Sequence, residues 1–220
     1  MKINLLYNHS GIKKATGLTI VIDVFRAFSV MYYAFSKGVD DYILSSSFDS
    51  SIIFFNKYPR ANFIGKNFKD NKPIYNINNS PSEILKHNSF KRIIHHSSAG
   101  VEALLNLKNK DEVLIGSFLN VNAIVNYLTS KNVKEVSIVA MGHLGLKNSL
   151  EDDLCAEYLL KKLKGDSIDE KMIYEEIERF ATPFFIKNGH PISDIDYCLD
   201  FNKFDFVLKF INGKIIREDL

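Results

Sequence analysis

The stretch Leu18-Thr19-Ile20-Val21-Ile22-Asp23-Val24-Phe25-Arg26 decides the fold of this chain. Its first five residues are apolar or β-branched on both faces, which is typical of a central strand in a parallel sheet. Asp23 follows this strand directly, and Arg26 opens an apolar segment with helical spacing. Because a carboxylate at the end of a buried strand contributes little to a core, the pair predicts a site for a metal or an anionic ligand.

Length and composition indicate a globular protein, and we predict one domain over residues 1–220. Hydrophobic residues make up 46% of the chain and charged residues 25%, with a net charge of +2. No stripe of Lys and Arg predicts a nucleic-acid surface, and no apolar run reaches the roughly 20 residues of a membrane span. The N-terminus does not have the pattern of a signal peptide, and Cys155 and Cys198 are far apart. We therefore expect a cytoplasmic protein with reduced thiols.

Segments with strand and helix patterns alternate along the first two-thirds of the chain, and the final third contains helical segments followed by a hairpin pattern around Gly213. This order predicts an α/β fold: a three-layer sandwich with a mostly parallel, mixed sheet and a C-terminal helical and hairpin extension. The predicted strands are residues 1–7, 18–22, 42–44, 62–65, 92–96, 112–116, 136–141, 205–210 and 215–216.

Polar residues collect where the predicted strands end, which is the edge at which open α/β sheets bind ligands. Hydroxyls and N–H groups at a helix start can hold an anion, whereas carboxylates favour a hard cation such as Mg²⁺. A phosphate between a metal ion and a helix N-terminus would use all of these groups. The residues are Asp23 with Arg26, Ser97-Ser98-Ala99-Gly100, Ser117 with Asn120, and Ser149-Leu150-Glu151-Asp152-Asp153.

Each of these groups also has a purely structural interpretation. Ser149 and Asp152 have the spacing of a capping pair at the start of a helix. Either hydroxyl of Ser97-Ser98 can cap the next helix, and Arg26 can simply pair with Asp23. Only their shared position at strand ends favours a functional site.

Several well-known motifs are missing from the chain. The second residue after Asp23 is Phe25, which excludes the Asp-x-Asp motif of haloacid-dehalogenase phosphatases. No Cys-x5-Arg loop, Gly-x-Ser-x-Gly elbow, P-loop or Gly-x-Gly-x-x-Gly occurs. His143 follows a predicted strand and is a possible acid, although a surface histidine is the simpler interpretation.

Five segments of the chain match one known family in the expected order over nearly the whole length. They are Val21-Ile22-Asp23-Val24-Phe25-Arg26-Ala27, Asn79-Ser80-Pro81, Ser97-Ser98-Ala99-Gly100, Gly116-Ser117-Phe118-Leu119-Asn120 and Ser149-Leu150-Glu151-Asp152-Asp153-Leu154-Cys155-Ala156. They resemble the 2-phosphosulfolactate phosphatase family, the Mg²⁺-dependent enzymes of coenzyme M biosynthesis. The resemblance implies hydrolysis of (2R)-2-phospho-3-sulfolactate to sulfolactate and phosphate.

The resemblance also implies roles for individual residues. Asp23, Glu151 and Asp152 are expected to hold Mg²⁺, and Asp23, Arg26 and Asp152 are expected to act in catalysis. Contacts to phosphate or substrate are expected from a larger polar set, namely Arg26, Asn79, Ser80, Ser97, Ser98, Gly100, Ser117 and Asn120.

The chain departs from the family's pattern at two places. The common Gly-Glu-Arg reads Gly65-Lys66-Asn67, and Phe-Asp-x-Gly reads Tyr75-Asn76-Ile77-Asn78. The first hypothesis is a Mg²⁺-dependent phosphatase acting on 2-phosphosulfolactate or a related small phosphorylated acid. The alternative, which the changes at Lys66 and Asn76 motivate, is a degenerate member that binds a phosphorylated anion without hydrolysing it. No nucleic-acid or membrane partner is expected in either case, and common symmetry favours a homodimer.

Overall fold

The computed structural model describes residues 1–65, 75–107 and 112–220, which contain nine strands. Each coincides with a segment that the sequence pattern predicts as a strand, within two residues at its ends except for the last strand, which extends three residues beyond the predicted 215–216. In chain order the strands are β1 (Lys2–Tyr7), β2 (Leu18–Ile22), β3 (Asp41–Ser45), β4 (Asn62–Ile64), β5 (Arg92–His96), β6 (Val113–Gly116), β7 (Glu135–Ala140), β8 (Phe206–Ile211) and β9 (Lys214–Asp219).

Six of these strands form the larger sheet, in the order β1-β7-β2-β6-β8-β9. The first four strands in this order are parallel to one another. Strand β8 is antiparallel to both of its neighbours, β6 and β9. The predicted C-terminal hairpin is therefore confirmed at the edge of a mixed, mostly parallel sheet. Its two-residue turn is Asn212-Gly213, where φ is 49° and 80°. Asn-Gly is favoured there because such a turn requires positive φ at both residues.

The remaining three strands form a separate parallel sheet in the order β3-β5-β4. The sequence pattern predicts each of these strands, but it does not show that they pair apart from the larger sheet. The division into two sheets is a result of tertiary packing, because strand period and composition do not encode the choice of neighbour.

Nine helices lie among the described residues. Ser47 and Ser80 cap α3 and α4 through their side chains, and Pro81 occupies the first position of α4, where proline is favoured. The helices are α1 (Asn8–Ile12), α2 (Ala27–Ser36), α3 (Phe48–Lys57), α4 (Pro81–Leu85), α5 (Gly100–Asn106), α6 (Val121–Ser130), α7 (Leu150–Lys164), α8 (Glu170–Lys187) and α9 (Ser193–Cys198).

Both faces of β2 are covered, which gives the predicted three layers. Val21 belongs to a core cluster that includes Phe28 and Met31 of α2. Ile20 and Ile22 point the other way, into a cluster that includes residues of α6, α7 and α8. Burying one such aliphatic side chain stabilises a fold by about 1.5–3 kcal/mol, so this strand is firmly held.

Two further expectations concern the thiols and the membrane. Cys155 and Cys198 are free, in agreement with the expected reduced thiols, and both are buried. Across the residues that the structure describes, no helix combines the length and the apolar composition that a membrane span requires.

Candidate active site

Asp23 lies at the end of β2, between the ends of two neighbouring parallel strands. Ile22 is paired with Gly116 of β6 on one side and with Ala140 of β7 on the other. Three strands therefore deliver their following loops to the same edge of the sheet, and Asp23 is at its centre. The side chain is buried, with only 4% of the residue exposed.

Two helix starts converge on the Asp23 carboxylate. Gly100 N–H donates to Oδ2 at 2.8 Å, and Ala27 N–H donates to Oδ1 at 3.3 Å. A side chain at position 100 would have its Cβ 2.6 Å from Asp23 Oδ2 and 2.6 Å from the ring of Phe28, so only glycine fits. The sequence-based expectation that Gly100 contacts phosphate is therefore wrong, because its N–H group donates to Asp23 instead.

Asp152, in the first turn of α7, is oriented by two loops at the same edge. Its Oδ1 accepts from Val24 N–H at 2.7 Å and its Oδ2 from Gly142 N–H at 2.8 Å. The alternative in which Ser149 and Asp152 form a capping pair is therefore wrong, since Ser149 makes no side-chain cap. Asp152 instead ties α7 to the chain that follows β2 and β7.

The carboxylates at this edge oppose one another's ionisation. Burial raises the pKa of Asp23 to about 6, against the lowering effect of its two N–H donors. Burial, followed by the charges of Glu151 and Asp23, raises the pKa of Asp152 well above its ordinary range. Burial is also the main cause that raises the pKa of Glu151, and the charge of Asp23 adds to it. A cation among the three would favour their charged forms.

Arg26 pairs with Asp194 of α9, so the interpretation as a simple Asp23–Arg26 pair is wrong. Arg26 Nη1 is 2.6 Å from Asp194 Oδ2, and Arg26 Nη2 is 3.3 Å from His190 Nδ1. The fully buried Asp194 also accepts from Ser80 Oγ at 2.9 Å and from Ser82 N–H at 3.0 Å. Ser80 therefore lies behind Arg26, in the network that holds the guanidinium.

Asn79 is positioned by a buried histidine. His95 Nε2 is 3.0 Å from Asn79 Oδ1, and His95 Nδ1 is 2.7 Å from the hydroxyl of Tyr42. Burial, with a smaller effect of His96, lowers the pKa of His95 to about 3. With this assignment of the amide atoms, the neutral ring donates from Nε2 and accepts from Tyr42 at Nδ1.

A cavity of about 400 Å³ lies at this edge of the sheet. His143 lies at its exposed rim. Among the residues that the sequence predicts, those lining the cavity are Asp23, Arg26, Asn79, Ser97, Ser98, Glu151 and Asp152. The structure thus brings together residues from four separate parts of the chain.

Ser117 and Asn120 do not line this cavity, which corrects the phosphate contacts expected of them. Asn120 Oδ1 accepts from Ser117 N–H at 3.0 Å, and its amide group donates to Ile115 O at 3.2 Å and to the Tyr32 hydroxyl. Both residues are fully buried. They close the 3₁₀ turn over Phe118–Asn120 and have a structural role.

Sequence reasoning missed the apolar wall of the cavity and the partner of Arg26. The wall comes mainly from α8, with Ile177, Phe180 and Phe184 among its residues. The sequence does contain one signal for this wall: the aromatic residues at positions 180 and 184 lie next to the apolar stripe of the helix rather than within it. No local pattern identifies Asp194, because it lies 168 residues from Arg26.

Comparison with known proteins places the chain in a family. A family model described as 2-phosphosulpholactate phosphatase matches residues 5–213. The chain belongs to this family. A probable 2-phosphosulfolactate phosphatase from Caldanaerobacter subterraneus subsp. tengcongensis is 30% identical over 217 residues, covering 90% of this chain and 89% of the relative. Proteins with the same description from Thermoplasma volcanium and Bacillus subtilis are 22% and 27% identical, with at least 92% of each chain covered.

One of the two departures from the 2-phosphosulfolactate phosphatase pattern has a structural explanation. Asn76 Oδ1 accepts from Phe63 N–H at 2.7 Å and so closes the end of β4. An Asp at this position would accept the same hydrogen bond, so the substitution does not remove a group from the cavity. Lys66 and Asn67 lie outside the described residues.

The donor set of the family site is suited to a hard cation. No group of three or more His, Cys, Asp or Glu side chains in residues 1–65, 75–107 and 112–220 is gathered closely enough to surround a metal ion by itself. Mg²⁺ requires only one or two protein carboxylates and keeps several waters. Burial raises the pKa values of Asp23, Glu151 and Asp152, and the charge of Asp23 adds to the increase at the other two; a group of carboxylates that oppose ionisation in this way fits Mg²⁺.

Proposed function

We propose that this protein is a Mg²⁺-dependent phosphatase that hydrolyses 2-phosphosulfolactate or a related small phosphorylated acid to the hydroxy acid and phosphate. The observation that carries the proposal is the meeting of Asp23, Glu151 and Asp152 with Arg26 around one cavity. The carboxylates can bind a metal ion and the guanidinium can bind a phosphate, so the two kinds of group together suit a phosphate bound next to a metal ion. Membership in the 2-phosphosulfolactate phosphatase family supports the same reaction.

The metal would be held by Asp23, Glu151 and Asp152, and it would supply charge neutralisation at the phosphate and a more acidic water. Arg26 donates hydrogen bonds to phosphate oxygens and stabilises the charge that builds on them during transfer. Asp194 keeps the guanidinium in place for this contact. A guanidinium has five N–H donors, and the contacts with Asp194 and His190 use at most two of them, so others are available to the substrate.

Asn79, Ser97 and Ser98 complete the polar lining and supply hydrogen bonds to the remaining oxygens. Water oxygen forms the new bond to phosphorus while the ester bond to the acid's 2-oxygen breaks. The proton lost by water is transferred to that leaving oxygen, so the products are the hydroxy acid and inorganic phosphate. One carboxylate of the site, Asp23 or Asp152, would also orient the water and take its proton.

The proposal is tested by phosphate release from 2-phosphosulfolactate and 2-phospholactate, with Mg²⁺ and with EDTA. We expect Asp23→Asn to abolish the Mg²⁺-dependent release. Asp153→Asn is the matched control, because Asp153 lies in the same turn as Asp152 and bonds to Asn148 rather than lining the cavity. Equal turnover in EDTA would show that the metal mechanism is wrong.

The second candidate is binding without hydrolysis, which the changed residues Lys66 and Asn67 motivate. It predicts that phosphorylated acids raise the melting temperature although no phosphate is released across a broad panel. The same Asp23→Asn variant distinguishes the two functions. Under the phosphatase hypothesis it loses phosphate release. Under the binding hypothesis neither the wild type nor the variant releases phosphate, and the variant changes only the ligand-induced shift in melting temperature.

A further inference from the structure

The cavity has two chemically different halves. Carboxylates and hydroxyls line the side formed by the sheet edge, whereas the opposite side is formed by apolar residues of α8. Phe180 and Phe184 belong to this apolar wall, yet 60% and 51% of their surface is exposed. Exposed aromatic residues grouped at the mouth of a cavity indicate contact with an apolar ligand group.

The core does not require these two aromatic rings. Helix α8 buries a stripe with four-residue spacing, which belongs to the same core cluster as residues of the larger sheet: Ile173, Ile177, Ala181 and Phe185. Phe180 and Phe184 form the adjacent stripe, also four residues apart, which faces the opening. Leu144, from the loop after β7, lines the same cavity and is exposed as well.

The charges of the cavity argue against a sulfonate on this side. Among the described residues, Arg26 is the one Lys or Arg side chain that lines the cavity, and Asp194 already pairs with it. Arg179 lies 5.1 Å from the ring centroid of Phe180 but does not line the cavity. A substrate with phosphate, carboxylate and sulfonate would bring three anionic groups, whereas the described lining offers Arg26 and the proposed Mg²⁺, with no further Lys or Arg on the apolar side for a sulfonate.

We infer that the substrate is the phosphate monoester of a small 2-hydroxy acid whose side chain is apolar, such as a phenyl or branched alkyl group, in place of a sulfonate. This inference rests on the proposed function and specifies its substrate class. The phosphate lies against Arg26 and the hydroxyl-lined side, and the apolar side chain packs on Phe180 and Phe184. The water attack and ester cleavage are those of the proposed reaction.

The test compares two substrates that differ only in the side chain, 2-phospho-3-phenyllactate and 2-phosphosulfolactate. We expect kcat/KM for the phenyl substrate to be larger by about tenfold or more, the usual effect of filling an apolar pocket. Phe180→Ser and Phe184→Ser should each lower the ratio of the two kcat/KM values, phenyl substrate over sulfonate substrate, severalfold. Ile186→Ser is the matched control, because Ile186 is an exposed apolar residue of α8 outside the cavity.

A binding measurement separates failure of the inference from failure of the proposed function. Benzylphosphonate and sulfomethylphosphonate cannot be hydrolysed, so their dissociation constants report the pocket without turnover. Tighter binding of benzylphosphonate, weakened by Phe184→Ser, supports the inference even if no ester is hydrolysed. Preference for 2-phosphosulfolactate, equal binding of the two phosphonates, or an unchanged ratio in both Phe variants would overturn it.

Discussion

The ion pair between Arg26 and Asp194 is expected to be strongly coupled energetically. The side chains are 12% and 0% exposed, and the charged atoms are 2.6 Å apart. Asp194→Asn preserves the size of the side chain and an oxygen for Ser80 and Ser82, but it removes the negative charge. Removing one partner of a buried pair costs about 3–5 kcal/mol. Because Arg26 retains some contact with water, we expect about 3 kcal/mol, the lower end of that range.

A double-mutant cycle isolates this coupling. Urea unfolding of Asp194→Asn, Arg26→Met and the double variant should give an interaction energy of about 2–3 kcal/mol, since each single change leaves one charge without its partner. Lys86 and Glu83 provide the control, because their charged atoms are also 2.6 Å apart but their side chains are 67% and 27% exposed. That exposed pair should couple by less than about 1 kcal/mol.

The same variant tests the positioning role in catalysis. If Asp194 acts by holding Arg26, Asp194→Asn should raise KM and lower kcat for a phosphate ester without changing the dependence on Mg²⁺. Asp194→Glu should not restore activity fully, because its longer side chain displaces the guanidinium. Coupling no larger than that of Lys86 and Glu83, with unchanged kinetics, would refute the reasoning about this network.

Three further predictions follow from individual contacts. The pKa of His95 is about 3 in the folded protein and near 6.5 in the unfolded chain. Below pH 6.5 the unfolded chain therefore binds a proton that the folded protein does not. The free energy of unfolding should fall by up to about 1.4 kcal/mol per pH unit over this range. Urea unfolding at pH 5 and pH 7 should show a smaller loss for His95→Gln, and equal losses would contradict the assignment. Gly100→Ala should destabilise by about 1–3 kcal/mol and impair phosphate release, because the new Cβ meets Asp23 and Phe28; wild-type thermal stability would argue against the close contact. Asn120→Ala should cost about 1–3 kcal/mol by leaving buried groups unpaired, whereas a selective loss of phosphate affinity at normal stability would return Asn120 to the binding site.

Local sequence was sufficient for the strands and for the edge of the sheet that holds the site. The run of β-branched residues over 18–22 specifies a strand buried on both faces, and Asn212-Gly213 specifies the terminal hairpin. Asp23 lies at the sheet edge because it follows that strand directly. These features depend on side-chain period and turn conformation, which are properties of a few consecutive residues.

Tertiary structure decided which groups meet. Sequence reasoning placed Gly100, Ser117 and Asn120 around a phosphate, but Gly100 bonds to Asp23 and the other two bond to their own turn. Arg26 could have paired with Asp23, three residues away, but it pairs with Asp194. The pairing of β3, β4 and β5 in a separate sheet was not visible in local patterns, and the aromatic residues of α8 did not by themselves show that they line the cavity. Polar groups have several chemically equivalent partners, and only the packing of distant elements determines which of them comes within hydrogen-bond distance.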